Sequence, residues 1–221
     1  MDKKIKINLI IFISFIVASL LFTILLSTVD VRSSINNPRL GFASINENVF
    51  YGLGQSKLWY IITQIIGYLA ILVMVTFAVI GIIQLIQRKS IKKVDKEIIG
   101  LGIIYVLIAL IYIFFEKAVV INFRPILEDG ELAPSFPSSH TLLACVVFAS
   151  SFLEAKKLIK VRFINDYIIF FIEFFVIIMV GGRLLSGVHW LSDIVASVLY
   201  SGVIVSGYYL AINYLYSKEI E

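Results

Sequence analysis

Charge is scarce in this 221-residue chain: Asp, Glu, Lys and Arg make up 15% of it, against 60% hydrophobic residues. Soluble domains carry about 25% charge, so an ordinary water-soluble globule is excluded. Cysteine occurs once, at Cys145. That rules out an intrachain disulfide and, with no Cys/His cluster, leaves a zinc site unsupported. Cys145 lies in an apolar run and reads as a small buried apolar side chain. Histidine occurs twice, at His140 and His189, and three of the four prolines fall between Glu116 and Ser139. No internal repeat or low-complexity tract is evident.

What is plentiful is apolar sequence. A helix needs about 20 apolar residues to cross a bilayer core, and several runs here reach that length. The first, about Ile7 to Thr28, follows a short basic start. It outlasts the apolar core of a secretory signal, about 7–15 residues, and no small-x-small cleavage site closes it, so it reads as a retained span. A loop or surface-lying segment, Asp30 to Lys57, precedes a second span at about Leu58 to Gln87, opened by the interfacial aromatics Trp59 and Tyr60. A third span covers about Ile98 to Phe115. After a polar loop, Glu116 to Ser139, come a short fourth span from about His140 to Leu153, a fifth at about Ile164 to Gly181, and a sixth at about Trp190 to Tyr214. The expectation is an all-α polytopic membrane protein, a bundle of six transmembrane helices forming a single domain over 1–221.

Six spans place both termini on one side. The terminal segments and the connectors at 88–97 and 154–163 hold 13 of the 19 Lys and Arg, and the opposite loops hold six. The positive-inside bias therefore makes both termini cytoplasmic. It also explains the net charge of +4 without invoking nucleic acid. The loops after spans one, three and five face outward.

Two of those outward loops carry the chemistry. Lys117 is followed after six residues by Arg124-Pro125, then by Pro137-Ser138-Ser139-His140; the later loop has Gly182-Arg183, five residues, His189, three residues, and Asp193. Three cations can neutralise a phosphate dianion without a metal. Ser138 and Ser139 stand where a loop becomes a helix, a setting that favours anions. His189 and Asp193, four apart, share a helix face. The carboxylate can take the proton of one imidazole nitrogen and leave the other as a nucleophile, with His140 as general acid.

This constellation resembles the type 2 phosphatidic acid phosphatase family, whose pattern is Lys-x6-Arg-Pro, Pro-Ser-Gly-His and Ser-Arg-x5-His-x3-Asp. Ser139 stands where the family has Gly, and Gly182 where it has Ser. The resemblance spans 117–193 and implies a phosphatase without cofactor or metal. It implies that Lys117, Arg124, Ser138 and Arg183 bind phosphate, with Ser139 beside them. His140 is then the acid, His189 the nucleophile forming a phosphohistidine, and Asp193 its orienting partner. The implied substrate is a lipid phosphomonoester or diphosphate reached from the membrane, undecaprenyl diphosphate being favoured. Phosphatidylglycerophosphate, phosphatidic acid, diacylglycerol pyrophosphate and lipid A phosphates are alternatives. The implied setting is a bacterial cell membrane with the site on its outer face.

Plainer readings stand beside each residue. Lys117 and Arg124 are also ordinary snorkelling residues, Pro137-Ser138 an ordinary helix start, and His189 a histidine with a structural bond to Asp193. Three ordered elements on one membrane face outweigh these readings together. A phosphotransferase and a non-catalytic lipid transporter are the rival functions. Glu173, mid-span, reads as a protonated carboxyl bonded to another helix, ahead of a role in substrate contact. Glu128, Asp129 and Glu131 read as a solvated turn, and Arg32, Arg39 and Lys57 as loop charges.

Overall fold

The computed structural model describes residues 3–33, 38–127, 130–158 and 162–220, with the side chains of 153, 155–158, 162–165 and 219–220 left aside. Glu128, Asp129 and Lys160, and the side chains of Lys156, Lys157 and Arg162, lie outside the described residues.

The described chain is helical. Its helices are α1 (Lys3–Thr28), α2 (Ala43–Leu53), α3 (Lys57–Arg88), α4 (Lys96–Ile113), α5 (Ser139–Leu158), α6 (Arg162–Leu185) and α7 (Leu191–Ile220). A π turn, Phe114–Ala118, extends α4. Five helical stretches are long and apolar enough to cross a membrane: Lys3–Thr28, Lys57–Arg88, Lys96–Ala118, Asp166–Leu185 and Leu191–Lys218. The sixth expected span, α5, offers a shorter apolar stretch, Ser139–Phe152. Leu and Ile side chains stand exposed along α1 and α3, as lipid-facing helices require and water would penalise. This is an integral membrane protein.

The segment between the first two spans is more ordered than a loop. Its helix α2 is amphipathic enough to bury Ala43 and Asn46 while leaving Tyr51 and Leu53 exposed. Ser56 caps α3 by accepting from the Trp59 backbone N–H at 3.4 Å.

Packing between α5 and α7 uses small polar side chains, a device suited to lipid, where apolar contact alone gives no preference for helix over tail. Ser197 Oγ donates to the Ser138 carbonyl at 3.0 Å and Ser201 Oγ to the Leu142 carbonyl at 3.4 Å. Asp193, Ser197 and Ser201, four apart, form the row that faces α5. Below it, Leu142, Val146, Leu101 and Met179 are fully buried. Cys145 is buried as expected.

Glu173 departs from its expectation. It is exposed on α6, lines a groove with Ala149, Phe152 and Val205, and makes no hydrogen bond among the described residues. The face of α6 turned to the bundle carries Phe175 and Met179 instead.

Candidate active site

Three connections converge at one end of the bundle: the segment before α3, the 119–138 loop and the turn between α6 and α7. Gly41 N donates to Asn122 Oδ1 at 2.9 Å, and Asn46 Nδ2 to Ser192 Oγ at 2.8 Å. An added Cβ on Gly41 would sit 1.8 Å from the Leu26 carbonyl oxygen, so no other residue fits where the segment folds back onto α1.

His189 sits in the turn before α7 and is 3% exposed. Its Nδ1 lies 3.0 Å from the Ser135 carbonyl oxygen and 3.7 Å from Asp193 Oδ2. A carbonyl only accepts, so Nδ1 carries the proton and Nε2 holds the lone pair. Nε2 is buried and has no hydrogen-bond partner among the described residues. Burial first, then the Arg183 and Arg124 cations, keep His189 well below the ordinary histidine value of 6.5, while its bond to Ser135 pulls the other way. The ring is therefore neutral and nucleophilic at neutral pH.

The expected pairing of Asp193 with His189 is refined here, since the shorter contact to Nδ1 is the Ser135 carbonyl. Asp193 is fully buried. It accepts from Asn122 Nδ2 at 2.9 Å and from the Trp190 backbone N–H at 3.1 Å. Reaching back from the third residue of α7 to the residue before it, the carboxylate closes a capping arrangement. That fixes the helix start, and with it the turn that carries His189.

Arg183, 1% exposed, is held from α3. Its Nη1 donates to Thr63 Oγ1 at 3.2 Å, and its guanidinium lies 5.6 Å from the Tyr60 ring centroid. Its Nη2 lies 3.2 Å from His140 Nδ1. A guanidinium only donates, so that nitrogen of His140 accepts and Nε2 carries the ring proton. Gly182 explains how α6 comes so close: a Cβ there would lie 2.8 Å from Thr63 Cγ2 and 2.9 Å from Trp59 Cε3. Packing, rather than a missing hydroxyl, is the physical reason for glycine at this position. Gly67 plays the same part for His140, since its Cβ would fall 2.8 Å from His140 Cδ2.

The remaining candidates differ in how closely they join. Ser138 is fully buried, its Oγ 2.9 Å from Thr141 Oγ1 and its N–H donating to the Asp193 carbonyl at 3.3 Å. Its backbone donor is thus engaged, and the anion-facing donors belong to the next residues of α5, which have no intrahelical acceptor. Ser139 Oγ is 3.5 Å from His140 Nδ1. Arg124 lines a pocket beside Val188, and its charge reaches both histidines. Lys117 stands apart on the π turn, 73% exposed, its Nζ 3.2 Å from Glu116. Of the loop charges, Arg32 pairs with Asp30 at 3.3 Å and Glu47 at 2.9 Å, and Arg39 donates to the Ser27 carbonyl at 3.1 Å. Among the described residues no group of three His, Cys, Asp or Glu could hold a metal ion.

Comparison with known proteins follows the same outline. Residues 117–217 match the model of the PAP2 superfamily. A solved structure, the first transmembrane PAP2-type phosphatidylglycerolphosphate phosphatase from Bacillus subtilis, superposes with a TM-score of 0.60 over 95% of this chain and 97% of that one, at 17% identity. No curated protein matches in sequence. The likeness to the PAP2 superfamily is thus carried by residues 117–217, the stretch that holds every motif residue.

Proposed function

We propose that this chain is a membrane lipid phosphatase that works through a phosphohistidine on His189 Nε2. The observation that carries this reading is the division of labour on the His189 ring. One nitrogen is bound to a carbonyl, while the other is buried, has no partner among the described residues and is flanked by fixed cations. A buried imidazole with an unused acceptor is costly unless a ligand fills it.

In the proposed cycle Nε2 attacks phosphorus in line and the P–O bond to the lipid breaks. Arg183, Arg124 and the first-turn N–H groups of α5 stabilise the charge that develops on the phosphoryl oxygens, with Lys117 at the rim. Phosphate oxygens that draw the Arg183 guanidinium from His140 Nδ1 leave that ring able to hold the second proton a general acid needs. His140 passes this proton to the departing oxygen, then takes one from the water that hydrolyses the phosphohistidine. No step calls for a metal. The charge bias supports cytoplasmic termini and a site on the outer face of the membrane, and in a bacterial membrane carrier recycling there favours undecaprenyl diphosphate. A second reading, phosphatidylglycerophosphate, is supported by the fold shared with the Bacillus subtilis enzyme.

The test is phosphate release from a lipid panel in detergent with EDTA, comparing the native chain with His189→Ala. Release that survives EDTA and disappears in the variant is expected. Release unaffected by the substitution, or a need for metal, overturns the mechanism, and transfer of phosphate to an added alcohol instead of water marks a phosphotransferase.

A further inference from the structure

Next to Val188, the residue before His189, lies an open cavity of about 300 Å³, lined also by Gln55, Lys57, Tyr60, Arg124, Ile126 and Leu127 among others. Nothing in the proposed cycle uses Lys57 or Gln55. The cavity nevertheless adjoins the active site. Arg124 belongs to both, and the Tyr60 ring in its wall lies 5.6 Å from the Arg183 guanidinium. Ser186, also in its wall, donates to the Arg183 carbonyl at 2.7 Å, and Val188 precedes the nucleophile. The wall is drawn tight where the 186–188 turn meets the start of α3. Gly187 has φ +70°, and a Cβ there would fall 2.8 Å from Gln55 Cγ and 3.1 Å from the Gly54 carbonyl oxygen. Only glycine meets both demands.

Two cations from different elements, the exposed Lys57 on α3 and Arg124 on the 119–138 loop, thus line one small open chamber whose apolar wall is Ile126, Leu127 and Val188. A chamber of this size is at the lower end of ligand pockets, too small for a sugar chain or a peptide. Its charge would be idle for a substrate carrying a single phosphate, since Arg183 and Arg124 already face the reacting group.

We propose that this cavity is a subsite for a second phosphate of the substrate, with Lys57 as its specificity-determining cation and Gln55 as an added donor. The site then prefers lipids with two neighbouring phosphates, a diphosphate above all, over lipids with one. The proposal rests on the phosphatase reading for its biological meaning but is testable without turnover.

The experiment compares inorganic pyrophosphate with inorganic phosphate as ligands of the full chain in detergent, by thermal shift and calorimetry, for the native protein, Lys57→Gln and Lys57→Arg. In parallel, kcat/KM is measured for a diphosphate and a monophosphate lipid sharing one tail. Expected are pyrophosphate binding about tenfold tighter than phosphate, a loss of that advantage in Lys57→Gln, and its recovery in Lys57→Arg. The diphosphate-to-monophosphate kcat/KM ratio should fall by a similar factor in Lys57→Gln. Equal binding of the two anions, or an advantage that survives Lys57→Gln, overturns the subsite even if lipid turnover is robust. A native chain that releases no phosphate from any lipid, yet shows the Lys57-dependent advantage, leaves the subsite standing and removes the phosphatase.

Discussion

Buried polar groups collect at two places along α7, and the two clusters are built differently. Toward the C-terminal end, the Tyr208 hydroxyl is shared between Glu154 Oε1 at 2.7 Å and the Glu97 carbonyl at 3.3 Å, and Tyr216 donates to the Glu97 carboxylate. At the N-terminal end stand His189, Asp193, Asn122 and Arg183. Glu97 and Glu154 are buried like His189, only slightly less deeply, so burial does not separate the clusters. Neighbouring charge does. The Tyr208 and Tyr216 hydroxyls meet the two glutamates, with the buried Tyr105 hydroxyl beside them making no hydrogen bond among the described residues. His189 instead presents an imidazole nitrogen without a partner among those residues beside the Arg183 and Arg124 cations. A buried donor that finds its acceptor holds helices together; an unused buried acceptor beside fixed cations is where a ligand belongs.

That contrast fails first if His189→Ala retains phosphate release; a loss of about a thousandfold or more is expected from removing the nucleophile. Asn122→Ala strips Asp193 of its 2.9 Å partner without touching a reacting atom. Initial-rate kinetics should show kcat falling about 10- to 100-fold, the usual scale for partners that orient a reacting group, with KM little changed. In Gly67→Ala the new Cβ lies 2.8 Å from the His140 ring, so that ring must shift. A loss of about tenfold is expected, because small misplacements near the chemistry are expensive. Gly102→Ala, which meets nothing within 4 Å, is the matched control.

The pH profile sharpens the contrast further. Because burial and two cations depress the His189 value below 6.5, its neutral form persists as pH falls through 6.5. The acid limb of kcat/KM set by this residue should lie below 6.5, and a limb at 6.5 or above would mean an exposed, unperturbed nucleophile. The smallest catalytic effect is expected at the other cluster. Tyr208→Phe should leave turnover near the native level while costing about 1–2 kcal/mol of stability, read as a lowered unfolding temperature in detergent.

Most of this layout is legible in the amino-acid order. Apolar runs mark the helices to within a few residues, because lipid imposes one simple requirement on composition and length. The motif residues are legible because spacing along a loop or a helix turn puts them together, as with His189 and Asp193. What escapes is whatever depends on two distant segments meeting. Asn122, lone in a polar loop, has no local pattern to mark it as the partner of Asp193. The Ser135 carbonyl that accepts from His189 Nδ1–H belongs to the backbone, which carries no residue signature. Trp59 and Tyr60 read as interfacial aromatics, but pack against Gly182 and Arg183 because α3 leans on α6. The helix α2 is hidden for a related reason: its buried face is mainly Ala43 and Asn46, too slight for hydropathy to register.

The knot that joins Gly41, Asn46, Asn122, Ser192 and Asp193 also sets an order of construction. Ribosomes deliver the first two spans and the 119–138 loop well before α7, so Asn46 and Asn122, already joined through Gly41, wait at the end of the bundle for the partners that α7 carries. A nascent chain halted before α7 holds both phosphate-facing arginines, His189 and the Ser135 carbonyl, but not the Asp193 cap that fixes the nucleophile's turn. Biosynthesis thereby withholds competence until insertion is finished, and co-expressing a fragment ending after α6 with one that supplies the His189 turn and α7 is the natural way to watch the two halves find each other.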